Sequence, residues 1–408
     1  MCSAWSPDGQ SLAFGTINGG ISIRERNLDE RNEIRKSAPV WCMEWTPITN
    51  EHQESYLLVG CWDRTFYYLN SEGEVREKIS EKRLPFNPLS INFHSSGEFF
   101  LASGANKKIS VWSRDLGFLT DVVDVRDWSW CSKFRPKSME IAVTTNDGVI
   151  ALHELSKKPI FSNYEELFAT RDNLTDIVVE NLLLNQKLRI RCKELIKKVS
   201  IFKEKLAVLQ NDRLLIYIAS EESLKYNPFR KITKQFDCEF MAILNSHVVF
   251  AKDSKVQLYN LMGELEREWV FESNLTFVKA LGGPPKREHL VLGLQNGQVF
   301  KIFVDNSFPI QLYKSSAAIR CCDLNLTKKK LAVVDANNNL LVIDLISQAH
   351  LYQEMGTTSC VWNSDLEDVL AYSGNGVLSI RTGTMPALTQ KTEATVQGFK
   401  GFQLFVVK

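Results

Sequence analysis

A short turn built from Asn, Asp and Gly recurs along this chain about every forty residues, and no other feature limits its fold as strongly. The turns fall at Asn18-Gly19, Trp62-Asp63, Ala105-Asn106 and Asn146-Asp147-Gly148. They return at Asn211-Asp212, Lys252-Asp253, Asn296-Gly297, Ala336-Asn337 and Asn375-Gly376. Successive turns lie 38 to 44 residues apart, except for one step of 65 between Asp147 and Asp212. Apolar runs of strand length flank each turn. A period of roughly 40–45 residues with strands on both sides of a turn is the spacing of a four-stranded propeller blade. The expected fold is therefore all-β, with two propellers in tandem and the long step between them.

The first repeat shows the local logic. CSAWSPDG (2–9) reads as a strand closed by a turn in which Pro7 presets φ and Gly9 accepts a positive φ. SLAFGTI (11–17) reads as a buried strand, with Gly15 where neighbouring strands crowd. Asn18-Gly19 is a tight hairpin signal, and GISIRER (20–26) alternates apolar and polar residues as a half-exposed strand does. Similar repeats run over 40–70, 90–115 and 128–155, and after the break over 189–219, 236–263, 275–305, 318–345 and 358–382. No Trp-Asp pair closes a strand (Trp112 is followed by Ser113), so the repeats are degenerate WD repeats. Residues 1–158 are expected to hold four blades of a first WD-repeat propeller that lacks its opening blades. Residues 159–187 are expected to form a linker with one strand, over 176–184, that helps close the second ring. Residues 188–408 are expected to form a second WD-repeat propeller, cut near its end. Abrupt ends and raw strand edges suggest a fragment, or a truncated gene model, of a longer double-propeller protein.

Composition narrows the function classes. The chain is 44% hydrophobic and 24% charged, with a formal net charge of +1. No overall field draws it to nucleic acid or to an acidic membrane. No apolar run exceeds strand length, so no transmembrane segment is expected, and the opening MCSAWSPDG does not resemble a signal peptide. The nine cysteines are odd in number and form no CxxC pair. Several share one slot: Cys2-x-x-Trp5, Cys42-x-x-Trp45, Cys131-x-x-Phe134, and Cys360 just before Trp362. There a cysteine serves as a small hydrophobe, which fits a reducing, cytoplasmic setting. The three Asn-Leu-Thr sequons, at Asn173, Asn274 and Asn325, are then chance matches.

Motifs for chemistry are missing from the sequence. There is no GxxxxGK, GxGxxG, HExxH or GxSxG, and the six histidines are scattered. Cys321 and Cys322 are adjacent on one strand, so their side chains face opposite ways, one toward the core and one toward the surface. Trp41, Trp45, Trp128 and Trp130 read as core and inter-blade packing. The runs LAFG, LLVG, FLASG, LAVL, LVLG and LAVV, taken as the innermost strands, are apolar and small and offer no catalytic groups. No enzyme, metal or cofactor is expected. Three basic segments, KELIKK (193–198), KYNPFRKITK (225–234) and TKKK (327–330), could gather on one rim of the second propeller, although solvated loop lysines are the simpler reading. The candidate contact residues, for a protein partner or weakly for acidic lipid, are Arg171, Asp172, Lys193, Lys197, Lys198, Arg230 and Lys231.

Longer strings carry a resemblance. TRDNLTDIVVENLL (170–183), RIRCKELIKKVSIFKEKLAV (189–208), GGPPKREHLVLGLQNGQVFKIFVDN (282–306) and KKLAVVD (329–335) resemble the intraflagellar transport protein 122 homologues, and DGQSLAFGTINGGISIR (8–24) resembles a mid-propeller blade of theirs. These homologues are WD-repeat subunits of intraflagellar transport complex A, and the resemblance runs over nearly the whole chain. It implies two N-terminal propellers ahead of a helical-repeat tail that is absent here. It implies a non-catalytic scaffold that works in retrograde intraciliary transport, cilium assembly and delivery of membrane receptors to cilia. Partners would be the other complex A subunits, with cargo adaptors and ciliary membrane receptors reached indirectly. The implied location is the cilium, at the basal body and axoneme. An alternative is a coatomer-like vesicle-coat subunit binding acidic membranes and cargo, since such subunits also join twin propellers to helical repeats.

Overall fold

A computed structural model describes residues 2–27, 29–50, 52–75, 81–155, 159–220, 223–284 and 287–407. Among these residues every helix or strand element is a strand, and the strands form antiparallel sheets whose members follow one another in sequence. The chain divides into two compact units, Met1–Lys158 with Lys193–Leu195, and Pro159–Cys192 with Ile196–Lys408.

Among the described residues the first unit contains four blades. Blade 1 is Cys2–Trp5, Ser11–Gly15, Gly20–Glu25 and Glu30–Arg35, and blade 2 is Val40–Trp45, Leu57–Cys61, Thr65–Leu69 and Glu81–Arg83. Blade 3 is Pro88–Phe93, Phe99–Gly104, Lys108–Ser113 and Phe118–Asp124, and among the described residues blade 4 has three strands, Ser129–Phe134, Glu140–Thr145 and Ile150–Glu154. The described residues of the second unit form seven. Blade 5 is Phe161–Tyr164, Leu167–Arg171, Asp176–Asn181 and Gln186–Arg191. Blades 6 to 10 open with Lys198–Phe202, Phe240–Ile243, Leu275–Gly282, Ile319–Leu324 and Ser359–Trp362, and each has four strands. Blade 11 is the hairpin Thr395–Lys400 and Gln403–Val407.

Blade 5 occupies the stretch expected to be a linker with one strand. Asp172-Asn173 marks the turn between its second and third strands, where the Asn173 side chain accepts from the amides of Thr175 at 2.8 Å and Asp176 at 2.7 Å. On either side of it, Glu165 takes φ 50° and Asn185 takes φ 55° without a glycine, and the Asn181 side chain holds the turn between the third and fourth strands by accepting from the amides of Leu183 and Leu184, both at 3.0 Å. In most other blades the expected turns sit between the second and third strands. Gly19 (φ 80°) and Gly297 (φ 85°) show why glycine is needed there: a Cβ would lie 2.1 Å from the Lys36 carbonyl oxygen and 2.2 Å from that of Ser315. The backbone conformation and the close approach both exclude a side chain.

Apolar residues of successive sheets interlock to form the core. Phe66 and Tyr68 of blade 2 pack with Phe100 and Trp112 of blade 3, and Val249 and Leu258 of blade 7 pack with Leu290 and Leu292 of blade 8. Within each unit the first strand of each blade lies beside the first strand of the next, so it is these strands that line the axis. The apolar runs taken as innermost are instead the second strands, buried on both faces. Axial strands carry more polar residues than those runs because they must also join the blades. Ser162, Ser200 and Ser359 accept from the backbone amides of Ile201, Ile243 and Val396 in the next blade at 2.9–3.1 Å. Asn92 does the same for Phe134 at 2.7 Å. A short hydroxyl or amide that reaches across the seam satisfies a backbone donor that no sheet ladder can reach.

The second ring closes on itself. Blade 11 packs on blade 10 on one side and on blade 5 on the other. Asn163 Nδ2 donates to the Gln397 carbonyl at 3.0 Å, and Lys400 Nζ meets Glu165 at 2.5 Å and Glu166 at 2.7 Å. The two acids raise the Lys400 ammonium above its ordinary range by hydrogen bonding.

Glu44 joins blades 2 and 3 at a cost in desolvation. Its carboxylate accepts from Asn92 Nδ2 at 2.9 Å and the Phe93 amide at 3.1 Å, with Lys133 Nζ at 3.9 Å. Burial pushes its pKa up to about 7 against the opposing effects of Lys133, Phe93 and Asn92. A carboxyl with a raised folded-state pKa binds its proton more tightly folded than unfolded. Its contribution is fully present below the unfolded value of about 4.3 and is lost as pH rises through about 7. Glu44→Gln should flatten this slope. Stability of the first propeller in the wild type should fall relative to the variant by about 2–3 kcal/mol between pH 4 and 8, read by urea unfolding. Parallel pH profiles would contradict the assignment.

Candidate interaction surfaces

A cavity of about 810 Å³ occupies the axis of the second propeller. Its polar lining includes Ser162, Ser200, Lys279, Asp323, Ser359 and Gln397. These groups were missed in the sequence because the second strands were taken for the axial ones. Most of them are engaged in joining blades. Asp323, 3% exposed, bonds Lys279 Nζ at 2.9 Å, the Trp362 amide at 2.9 Å and the Leu324 amide at 3.0 Å. Among the described residues no group of three or more His, Cys, Asp and Glu side chains is arranged to hold a metal ion. Of the histidines, His52 meets Glu98 and His247 meets Glu266. His289 is buried, and burial first, then Lys301 and Lys328, pushes its pKa down to about 3.

The structure separates the candidate contact residues. Arg171 ends the second strand of blade 5, half-buried, with Nη1 on the Ile196 carbonyl at 2.8 Å, and burial lowers its pKa. Its role is to tie the connection into blade 6. Asp172 is exposed and meets Arg189, which also bonds the buried Asp176 at 2.8 Å. Lys193 is exposed, with φ 64°, in the connection between blades 5 and 6. Lys197 is exposed, and Lys198 begins the axial strand of blade 6 half-buried. Arg230 and Lys231 are exposed on the outermost strand, Ser223–Ile232.

Sheet register shows which of these share a face. Lys198 pairs with Leu209, Leu209 with Leu214, and Leu214 with Ile232. Lys197 and Lys198 therefore lie at the same end of blade 6 as Lys231, across three strand spacings of about 4.8 Å each. Lys225 lies toward the other end, since Tyr226 pairs with Ala219. TKKK (327–330) also lies at the other end of its blade, in the turn between the first and second strands, where Leu331 pairs with Leu324. The three basic segments do not gather on one rim: β-structure carries a ten-residue segment from one face to the other, and hairpin position decides the face. Acids are interleaved with the bases that do share a face. Arg213, with help from Lys231, lowers the Asp212 carboxyl, and Asp237 bonds Lys252.

Four tryptophans of the first propeller form a patch. Trp41 stands 4.8 Å from Trp62 and 6.2 Å from Trp130, and Trp130 stands 6.4 Å from Trp128, between ring centroids. Trp128 and Trp130 are 37% and 39% exposed. Both Trp41 and Trp130 sit at a register shift near the start of an axial strand, between paired Val40 and Cys42 and between Ser129 and Cys131. A bulge re-aims the extra side chain out of the pleat. Trp45, by contrast, is buried as expected and donates Nε1 to the Ala4 carbonyl at 3.1 Å. The sequence carried a signal for this: Trp41 precedes Cys42 and Trp130 precedes Cys131 in the same recurring slot, so one role for both was legible. In that slot Cys42 and Cys360 are buried, while Cys2 and Cys131 are half-buried.

Two family models cover the two units in order. The model described as the IFT122 first beta-propeller matches residues 1–154, and the one described as the IFT122 second beta-propeller matches residues 161–408. The chain belongs to the IFT122 family. It is 36% identical over 411 residues to the mouse intraflagellar transport protein 122 homolog, and 35% identical over 413 residues to that of Xenopus tropicalis. Each alignment covers 99% of this chain and 34% of the relative. The human homolog is 32% identical over 470 residues, covering 99% of this chain and 38% of the relative. This IFT122-family chain thus spans about a third of the length of those relatives, and its sheets and faces lie within the two matched propeller regions.

Proposed function

We propose that this chain supplies the twin-propeller part of a non-catalytic scaffold subunit of intraflagellar transport complex A. Its work would be retrograde intraciliary transport, cilium assembly and delivery of membrane receptors to cilia, at the basal body and along the axoneme. The observation that carries this reading is the consecutive match of both propeller units to the two propellers of one intraflagellar transport family. The axial polar groups support it, because those of the second propeller are taken up in joining blades, which leaves the propeller faces to recognise partners.

On those faces the tryptophan patch of the first propeller and the mixed charges around Lys197, Lys198 and Lys231 suit protein partners. Interleaved acids favour a protein contact over an acidic membrane, which a run of uncompensated bases would bind. Affinity purification of the tagged protein from ciliated cells tests the reading. Recovery of the other complex A subunits is expected, and vesicle-coat subunits in their place would overturn it. Replacing Lys197 and Lys198 with Glu should reduce the recovered complex A subunits several-fold with no change in the chain's circular dichroism. Equal recovery would remove this face from the contact.

A further inference from the structure

Cys321 and Cys360 lie one blade repeat apart in sequence and face each other across the seam between the axial strands of blades 9 and 10. Their Sγ atoms are 3.9 Å apart. Cys322, the neighbour of Cys321, turns the other way into the apolar core formed with Val291, Val299 and Ile319 and is 1% exposed. The sequence suggested that the vicinal pair diverges. The partner it could not supply is Cys360. The two thiols differ in access. Cys360 is buried, whereas Cys321 is half-buried, and both line the axial cavity of the second propeller. They differ in acidity as well. The Cys360 thiol beside Cys321 lowers the Cys321 pKa, and the nearby Lys279 ammonium acts in the same direction. A thiolate at Cys321 is thus the better nucleophile.

We propose that Cys321 and Cys360 form an oxidation site for a small hydroperoxide, in which Cys321 reacts first and Cys360 resolves it to a disulfide between blades 9 and 10. In the first step the Cys321 thiolate attacks the terminal peroxide oxygen, the O–O bond breaks, and hydroxide (from hydrogen peroxide) or the alkoxide (from an organic hydroperoxide) leaves, giving a sulfenic acid. In the second, the Cys360 sulfur attacks the Cys321 sulfur, the S–O bond breaks, and the hydroxyl leaves as water with the Cys360 proton. The two sulfurs together lose two electrons, and the hydroperoxide takes them up. A dithiol reductant reverses the change by exchange through a mixed disulfide. The product links two strands that otherwise meet through side chains and the Asp323–Trp362 hydrogen bond, and so fastens one seam of the ring.

The test is peptide mapping of the folded 408-residue chain under non-reducing conditions after dilute hydrogen peroxide, with remaining thiols blocked by N-ethylmaleimide. The expected result is a Cys321–Cys360 linkage, loss of two of the nine titratable thiols, and recovery of both with dithiothreitol. Cys322→Ser should keep the linkage. Cys360→Ala should stop at a sulfenic acid on Cys321 that dimedone captures. The wild-type map does not depend on whether any variant folds. Unlinked Cys321 and Cys360 in that map, while other cysteines of the chain are oxidised, would overturn the proposal. So would accumulation of sulfinic acid on Cys321 with Cys360 still free.

Discussion

Replacing Asp323 with Ala should destabilise the second propeller by about 2–3 kcal/mol, since the buried carboxylate accepts hydrogen bonds that contribute about 1.5–3 kcal/mol each when charged, while the half-buried Lys279 keeps part of its hydration. Asp323 is 3% exposed, and its two oxygens bond the Lys279 ammonium and the amides of Leu324 and Trp362. The alanine variant strands the ammonium at the axis and leaves the Trp362 amide without its cross-seam acceptor. Asp323→Asn keeps an acceptor for that amide but loses the charge, so it should cost less. Adding Lys279→Met to Asp323→Ala removes the stranded charge and should return part of the loss, a coupling that a double-mutant cycle isolates. Hydrogen exchange in Ile319–Leu324 and Ser359–Trp362 reads the local effect without assuming that a two-unit chain unfolds in one step. If Asp323→Ala and the double variant both stay within about 0.5 kcal/mol of wild type, the seam does not depend on this pair.

The period and the turns were legible because they rest on local chemistry. Asn-Gly and Asp-containing turns need particular backbone angles, and the angles select the residues. Blade 5 was hidden because its turn, Asp172-Asn173, follows Asp147 after only 25 residues and so falls out of step with the period. The axial strands were misassigned for a physical reason. Second strands such as Leu57–Cys61 and Phe99–Gly104 are buried throughout and so are the most apolar, whereas axial strands must carry Ser, Asn, Glu or Asp to reach the next blade. Apolar character marked burial between sheets, not nearness to the axis. Contact residues fared differently from fold. Charge runs alone did not place 193–198, 225–234 and 327–330 on faces, because the face depends on which hairpin each run falls in. The tryptophan patch needed both the repeat register and the bulge, and only the first is written in the sequence.

Arg114→Ala should lower the stability of the first propeller by about 3 kcal/mol or more, since hydrogen bonds from a charged group contribute about 1.5–3 kcal/mol each and several are lost together. Trp112-Ser113-Arg114 stands where a Trp-Asp pair would close a WD-repeat strand, and the missing Asp reads as decay of the motif. The structure gives Arg114 a different role. It is 7% exposed, with Nη1 on the Gly97 carbonyl at 3.2 Å and on that of Pro47 at 3.4 Å. Nη2 donates to Thr46 Oγ1 and to the Glu54 carbonyl, each at 3.1 Å, and its own carbonyl accepts from the Tyr68 hydroxyl at 2.8 Å. One guanidinium therefore ties blade 3 to both ends of the long blade 2 connection that leaves Thr46 and returns at Glu54. Its planar fork serves acceptors on both sides at once. Lysine, a point charge on a flexible stem, serves fewer of them, so Arg114→Lys should recover less than half of the loss. Faster exchange of the amides in Val40–Trp45 and Leu57–Cys61, with blade 4 unchanged, would place the damage at this connection. Full rescue by lysine would mean that charge, and not the fork, is what the site requires.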